Sequence, residues 1–188
     1  MISPVRALLA TPVLCLLGMA NGHAASLYLQ PATSNVPLSA GTATLELYMD
    51  FTGTPTLGGG IDLDVTGPLA FAGFTPSSYF TGLDPFFSSH GTTNADADYE
   101  IHFGNFAGLS GAHKLGDISV NLLAIGPGAI NLAINQFYGD FYDVNSEVMS
   151  VALNGAGINV VPLPGAAWLL LTGLVMVPLR RLCWGGNH

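Results

Sequence analysis

From Thr42 to Phe51 the apolar residues Ala43, Leu45, Leu47, Met49 and Phe51 alternate with Thr44, Glu46, Tyr48 and Asp50. A period of two sends alternate side chains to opposite faces, so this segment predicts a strand with one face in a core and its carboxylates in water. Thr52-Gly53-Thr54-Pro55 interrupts it. Past Gly58-Gly59-Gly60, Ile61, Leu63 and Val65 alternate with Asp62 and Asp64, predicting a second strand of the same kind. Leu69 to Phe74 predicts a third. Ala97, Tyr99, Ile101 and Phe103 then alternate with Asp96, Asp98, Glu100 and His102, and Leu115 to Ile125 leads into the turn Gly126-Pro127-Gly128. Ala129 to Ile134, Glu147 to Leu153 and Gly157 to Val161 close the series. Eight or nine short strands between glycine-rich turns, with no helical period outside the ends, predict an all-β chain folded as a single β-sandwich.

The two ends break this pattern. Met1 to Ala25 carries one positive charge at Arg6, an apolar run from Ala7 to Leu17, and the small residues Gly22, Ala24 and Ala25. That order is a secretory signal helix, with Ala20, Ala24 and Ala25 all acceptable at the cleavage point. Cys15 follows Leu14, not the small residue a lipidated cysteine needs, and the only other cysteine is Cys183, so the exported domain has no disulfide. Ile158 to Leu179 contains no charged residue and is followed by Arg180 and Arg181. This is long enough to cross a bilayer, with the basic pair kept in the cytoplasm. Pro162 and Pro164 interrupt the beginning of the run, which puts the continuous transmembrane helix at 165–179. The chain therefore divides into a signal peptide at 1–25, one domain at 26–160 and a tail at 161–188.

Val161-Pro162-Leu163-Pro164, then Gly165 to Leu174, then Arg180-Arg181, resembles the PEP-CTERM sorting signal: a proline motif, a short span and a basic stop. Leu163 stands where that family usually has Glu, Pro178 falls inside the span, and the tail beyond the arginines is long. The resemblance implies a Gram-negative bacterium whose exosortase recognises the tail in the membrane and cleaves near Pro162 to Pro164. The domain would then pass to the cell surface or the exopolysaccharide matrix. An ordinary single-pass anchor is the alternative.

Charge narrows the partners. All twelve acidic residues of the chain lie between Ser26 and Val160, against one basic side chain there, Lys114. Nucleic acid is excluded as a partner by that balance.

Several segments of the domain resemble the cohesin family of jelly-roll modules. Leu27-Tyr28-Leu29 followed by Val36 to Gly41 looks like its opening strand and turn, and Leu57-Gly58-Gly59-Gly60-Ile61-Asp62-Leu63-Asp64 is similar to its Gly-Gly-aromatic-Asp-aliphatic-Asp strand. Leu69 to Phe74, Leu115 to Leu122 and Ile125 to Leu132 resemble later strands, and Asp143 to Glu147 sits where the family has a polar turn. The resemblance implies a binding or assembly module, since cohesins grip dockerin helices on one sheet face.

No catalytic set emerges. Asp96, Asp98, Glu100 and His102 share one strand face, as do Glu46 with Asp50 and Asp62 with Asp64, and alternate polar residues are what a solvent face requires. Gly108-Leu109-Ser110-Gly111-Ala112 is one residue off a nucleophile elbow and is not followed by a helix, so it reads as a turn. Asp143, Asn145 and Glu147 have the one-three-five spacing of a calcium loop, with Asp140 nearby. Val148 replaces the glycine of that loop and Asn154 its final glutamate, so an Asx turn is the simpler reading and Ca2+ the alternative. Phe137, Tyr138, Phe141 and Tyr142, with Tyr79, Phe80, Phe86 and Phe87, form an aromatic set; Tyr138 and Tyr142 are the candidate ligand-binding residues, because flat rings stack on pyranose faces. The expectation is a non-enzymatic surface or matrix protein, without cofactor, binding polysaccharide or another surface protein. An extracellular hydrolase of matrix polysaccharide and a calcium-dependent adhesion module are the alternatives.

Overall fold

The alternation along the chain is realised as two packed sheets in the computed structural model, which describes residues 24–92, 97–163 and 165. Residues 1–23 of the expected signal peptide 1–25, together with Asp96, Pro164, the span from 166 and the pair Arg180 and Arg181, lie outside the described residues. Among the described residues no helix is long and apolar enough to cross a membrane.

Thirteen strand segments follow one another: β1 (Ser26–Gln30), β2 (Thr33–Pro37), β3 (Thr42–Asp50), β4 (Thr56–Thr66), β5 (Leu69–Pro76), β6 (Ser89–Gly91), β7 (Tyr99–Leu109), β8 (Ala112–Leu122), β9 (Gly126–Ile134), β10 (Phe141–Asp143), β11 (Val148–Met149), β12 (Ala152–Asn154) and β13 (Ala156–Val161). One sheet has the order β12-β1-β3-β8-β5; the other runs β11-β10-β4-β9-β13-β2, with β7 on β4 and β6 on β7. The expected eight or nine strands are thus corrected to thirteen among the described residues. The opening strand passes from one sheet to the other at Pro31-Ala32, and the closing strand does the same at Gly155, where a side chain would meet the Ile130 carbonyl at 2.3 Å. β11 and β12 divide the single strand expected over Glu147 to Leu153, and the remaining additions, β6 and β10, have three residues each, too few for a period to register. One helical turn, α1 (Ser78–Thr81), is capped by the Ser77 hydroxyl accepting from the Phe80 N–H at 3.1 Å.

The core lies between the sheets. Leu45, Leu47 and Met49 of β3 face Ile61 and Leu63 of β4, Ile101 and Phe103 of β7 and Ile158 and Val160 of β13, all essentially without solvent exposure. Each such side chain contributes about 1.5–3 kcal/mol on burial.

The solvent-face expectation holds for β3 and for Asp64 and Asp98, and fails at Asp62 of β4 and Glu100 of β7. Tyr48 and Glu46 are partly exposed, and Lys114 bridges Glu46 at 2.6 Å and Asp117 at 2.7 Å. Asp62 and Glu100, opposite one another in the β4–β7 register, are buried at 8% and 2% exposure. The reason is that the outer face of β4 is covered: the turn after β9 folds back across it, and Asn135 donates its Nδ2–H to Asp62 at 2.5 Å. Glu100 sits between Asp62 on one flank and Gly91 of β6 on the other.

Two poles result from the strand directions. At one, β2 ends against β13 (Pro37 with Val161), β4 ends against β9 (Thr66 with Ala129), and the β4–β5 and β8–β9 turns meet through the Leu123 N–H and the Pro68 carbonyl at 2.9 Å. At the other, β1 starts beside the end of β3 (Ser26 with Asp50), and β4 starts beside β10 (Thr56 with Asp143).

Candidate functional site

At the pole opposite Val161, a cleft of about 320 Å³ opens on the outer face of β4 and β7. Its floor is backbone. Gly58 and Gly104 face each other in the β4–β7 ladder; a Cβ on Gly58 would lie 2.3 Å from the Phe103 carbonyl, and one on Gly104 would lie 2.8 Å from that of Leu57. Gly58 also holds φ at +129°, a conformation that L side chains rarely adopt.

Two aromatic groups line this floor. Phe87 meets Phe86 edge-to-face at 4.9 Å and Phe106 at 4.4 Å, while Phe86 is 83% and Phe106 77% exposed. Facing water beside them, Tyr138 stacks on His102 with ring centres 3.8 Å apart and planes 18° from parallel. Tyr142, Asp140 and Ser146 add polar atoms at the rim.

Asn135 sets the position of Tyr138. Its own N–H donates to the Gly60 carbonyl at 3.0 Å, and its Oδ1 accepts from the N–H groups of Phe137 at 2.9 Å and Tyr138 at 2.7 Å. This Asx turn lies flat because Gly60 has no side chain: a Cβ there would come within 3.0 Å of Tyr138 Cβ. Thr56, fully buried, fixes Tyr142 by donating to its carbonyl at 2.8 Å and accepting from the Gly58 N–H at 3.0 Å. His102 contacts the Ser89 hydroxyl through Nε2, and burial holds its pKa below the ordinary 6.5, so the ring is neutral at pH 7.

The expected aromatic set divides. Tyr138, Tyr142, Phe86 and Phe87 line the cleft; Phe141 and Phe80 are core residues; and Tyr79 stacks on His113 at 3.9 Å beside the five-stranded sheet. Phe106 and His102 belong to the cleft and are absent from the sequence reading of it. Phe106 has a sequence signal, since it stands between Gly104 and Gly108 outside the alternation that ends at Phe103.

Asp143, Asn145 and Glu147 form the β10–β11 turn. Asp143 Oδ1 accepts from the N–H groups of Asn145 at 2.8 Å and Glu147 at 2.9 Å, its Oδ2 accepts from Asn145 Nδ2 at 3.2 Å, and Ser146 takes a φ of +64°. These bonds hold the Asp143 carboxyl below its usual pKa. The Asx-turn geometry occupies the carboxylate, and among the described residues no group of three metal-ligating side chains converges there. Asp140 is directed to the cleft rim instead.

For glycoside hydrolysis, two carboxylates have to reach one sugar. The cleft lining contains a single one, Asp140, while Asp62 lies beneath the Asn135 turn. Ser110 sits in the tight β7–β8 turn beside Gly111 at φ +84°, between two strands and without the helix an elbow needs.

Val161 is the last residue of β13, and Pro162 and Leu163 beyond it are exposed. The rest of the expected sorting motif, Pro164, Arg180 and Arg181, is outside the described residues.

Comparison with known proteins bears on the fold alone. No family model matches the chain, and no curated protein sequence matches it. Solved structures do. A type I cohesin–dockerin complex from Clostridium thermocellum aligns with a TM-score of 0.56 at 12% identity, over 74% of this chain and 95% of the other. A non-cellulosomal cohesin from the archaeon Archaeoglobus fulgidus gives 0.53 at 13% identity, over 78% and 97%. A type III cohesin module of the ScaE cell-surface anchoring scaffoldin of Ruminococcus flavefaciens gives 0.53 at 12%, over 77% and 92%. The domain is a β-sandwich with a cohesin-like fold.

Proposed function

We propose that this is an exported, exosortase-sorted protein of the cell surface or exopolysaccharide matrix of a Gram-negative bacterium, with a non-catalytic sandwich that binds carbohydrate or another surface protein through the aromatic cleft. The observation that carries the binding reading is the cleft itself: exposed rings above a glycine floor, held rigid by Asn135 and Thr56, with polar atoms at the rim. Large exposed apolar rings on a rigid scaffold mark a recognition surface. The similar solved structures include cohesins in complex with dockerins and a module of a cell-surface scaffoldin, which supports a binding role over catalysis. The sorting reading rests on the tail, Val161-Pro162-Leu163-Pro164 through Arg180-Arg181.

Two experiments test the two halves. Fractionating cells with and without exosortase separates sorting from plain anchoring: a shortened extracellular form in the first and a full-length membrane form in the second are expected, whereas a full-length membrane protein in both rejects sorting. Affinity electrophoresis through gels containing the organism's own exopolysaccharide, beside pull-downs on its surface proteins, tests the cleft. Tyr138→Ala is expected to weaken the interaction found by about tenfold with the fold intact. Unchanged retardation and capture would reject the cleft as the site.

A further inference from the structure

The pole from which the tail leaves is built from four segments: Pro37 to Thr42, Thr66 to Leu69, Asn121 to Gly128 and Asn159 to Leu163. They are bound into one surface. The Leu122 N–H donates to the Gly41 carbonyl at 2.9 Å, the Leu123 N–H to that of Pro68 at 2.9 Å, and Gly126 pairs with Val160. Gly67 packs so closely on Pro127 that a Cβ would lie 2.5 Å from its carbonyl. In a domain with twelve acidic residues, none of these four segments contains Asp, Glu, Lys or Arg. Instead Leu123 is 63%, Ile125 57% and Leu163 48% exposed.

The chain leaving this surface has little slack. Only Pro162, Leu163 and Pro164 separate β13 from position 165, where the expected span starts, and fully extended chain covers that gap in at most about 14 Å. A membrane-inserted tail therefore holds this pole against the bilayer. A lipid interface takes up Leu and Ile, whereas a carboxylate, lysine or arginine held at that depth would lose hydration, and the composition found is the apolar one.

We infer that the Leu123–Ile125 turn, with Leu163, is a membrane-resting face that dips into the lipid interface while the tail is anchored. The inference rests on the reading of 165–179 as a transmembrane segment and adds to it a docked orientation, with the aromatic cleft at the far pole pointing away from the membrane.

The test uses the full chain in a Cys15→Ser, Cys183→Ser background, reconstituted in phosphatidylethanolamine–phosphatidylglycerol vesicles. Single cysteines replace Leu123, Ile125, Val144 or Leu170 and carry an environment-sensitive fluorophore, read against lipids spin-labelled near the headgroup or in the acyl chain. The expected result is strong quenching at 123 and 125 by the shallow label, severalfold above that at 144, and quenching at 170 by the deep label. Probes at 123 and 125 that behave like the one at 144 while 170 is quenched would overturn the docked face and leave the anchor standing; in that case the patch is open to another protein. An unquenched probe at 170 would overturn both.

Discussion

Asn135 is the residue on which the cleft depends most. It is fully buried, it is the hydrogen-bond donor to the buried Asp62, and it holds two amides of the turn that carries Tyr138. Asn135→Ala leaves a buried carboxylate and two N–H groups short of partners, and should cost about 2–4 kcal/mol in urea unfolding while lowering ligand affinity through Tyr138. His102 contributes a pH dependence. Its pKa is lowered in the folded protein, so protons favour the unfolded chain: stability is intact above pH 6.5 and declines as pH falls from 6.5 toward the lower folded value. The melting temperature should fall through that window, and His102→Gln should flatten the fall. Little of this was readable in advance. An Asp at an alternating position looks the same whether its face meets water or a turn folded back from far along the chain, and the Asp62–Asn135 bond spans 73 positions. The Asx turn of Asn135 is local and was open to detection; its partner across the sheet was not.

At the scale of elements, the strands long enough to repeat a period, β3, β4, β5, β7, β8 and β9, were legible, although β7 continues past the expected Phe103 to Leu109 and β4 begins at Thr56, ahead of the alternation that starts at Ile61. β11 falls inside the strand expected over Glu147 to Leu153, whereas the residues of β10 were not legible, because they become a strand by pairing with β4 and β11 and not through their own pattern. That dependence explains the importance of Gly58. Gly58→Ala puts a Cβ 2.3 Å from the Phe103 carbonyl at a φ of +129° and should destabilise the β4–β7 ladder by about 2 kcal/mol or more, collapsing the cleft floor with it. The β10–β11 turn supports a different prediction. Its Asp143 carboxylate is already bonded to backbone, so millimolar calcium should leave the melting curve where it is; an upward shift would instead support a calcium-dependent adhesion module.

At the scale of the whole molecule, composition and end signals forecast one acidic sandwich between a signal and a sorting tail, and the sandwich is what the described residues form. The polarity of that sandwich could not be forecast, because it depends on which strand ends meet. The closing strand gives this polarity a mechanical meaning. β13 lies between β9 and β2, with ladders on both sides running parallel to the line from Val161 to the opposite pole. A load drawn between a tail held at the cell and a ligand gripped in the cleft would pull along β13, stretching the hydrogen bonds of both ladders together in shear and not opening them one at a time. Single-molecule pulling between Val161 and the β10–β11 turn should therefore show a much higher rupture force than pulling Val161 at right angles to the two ladders, which would open their bonds in turn.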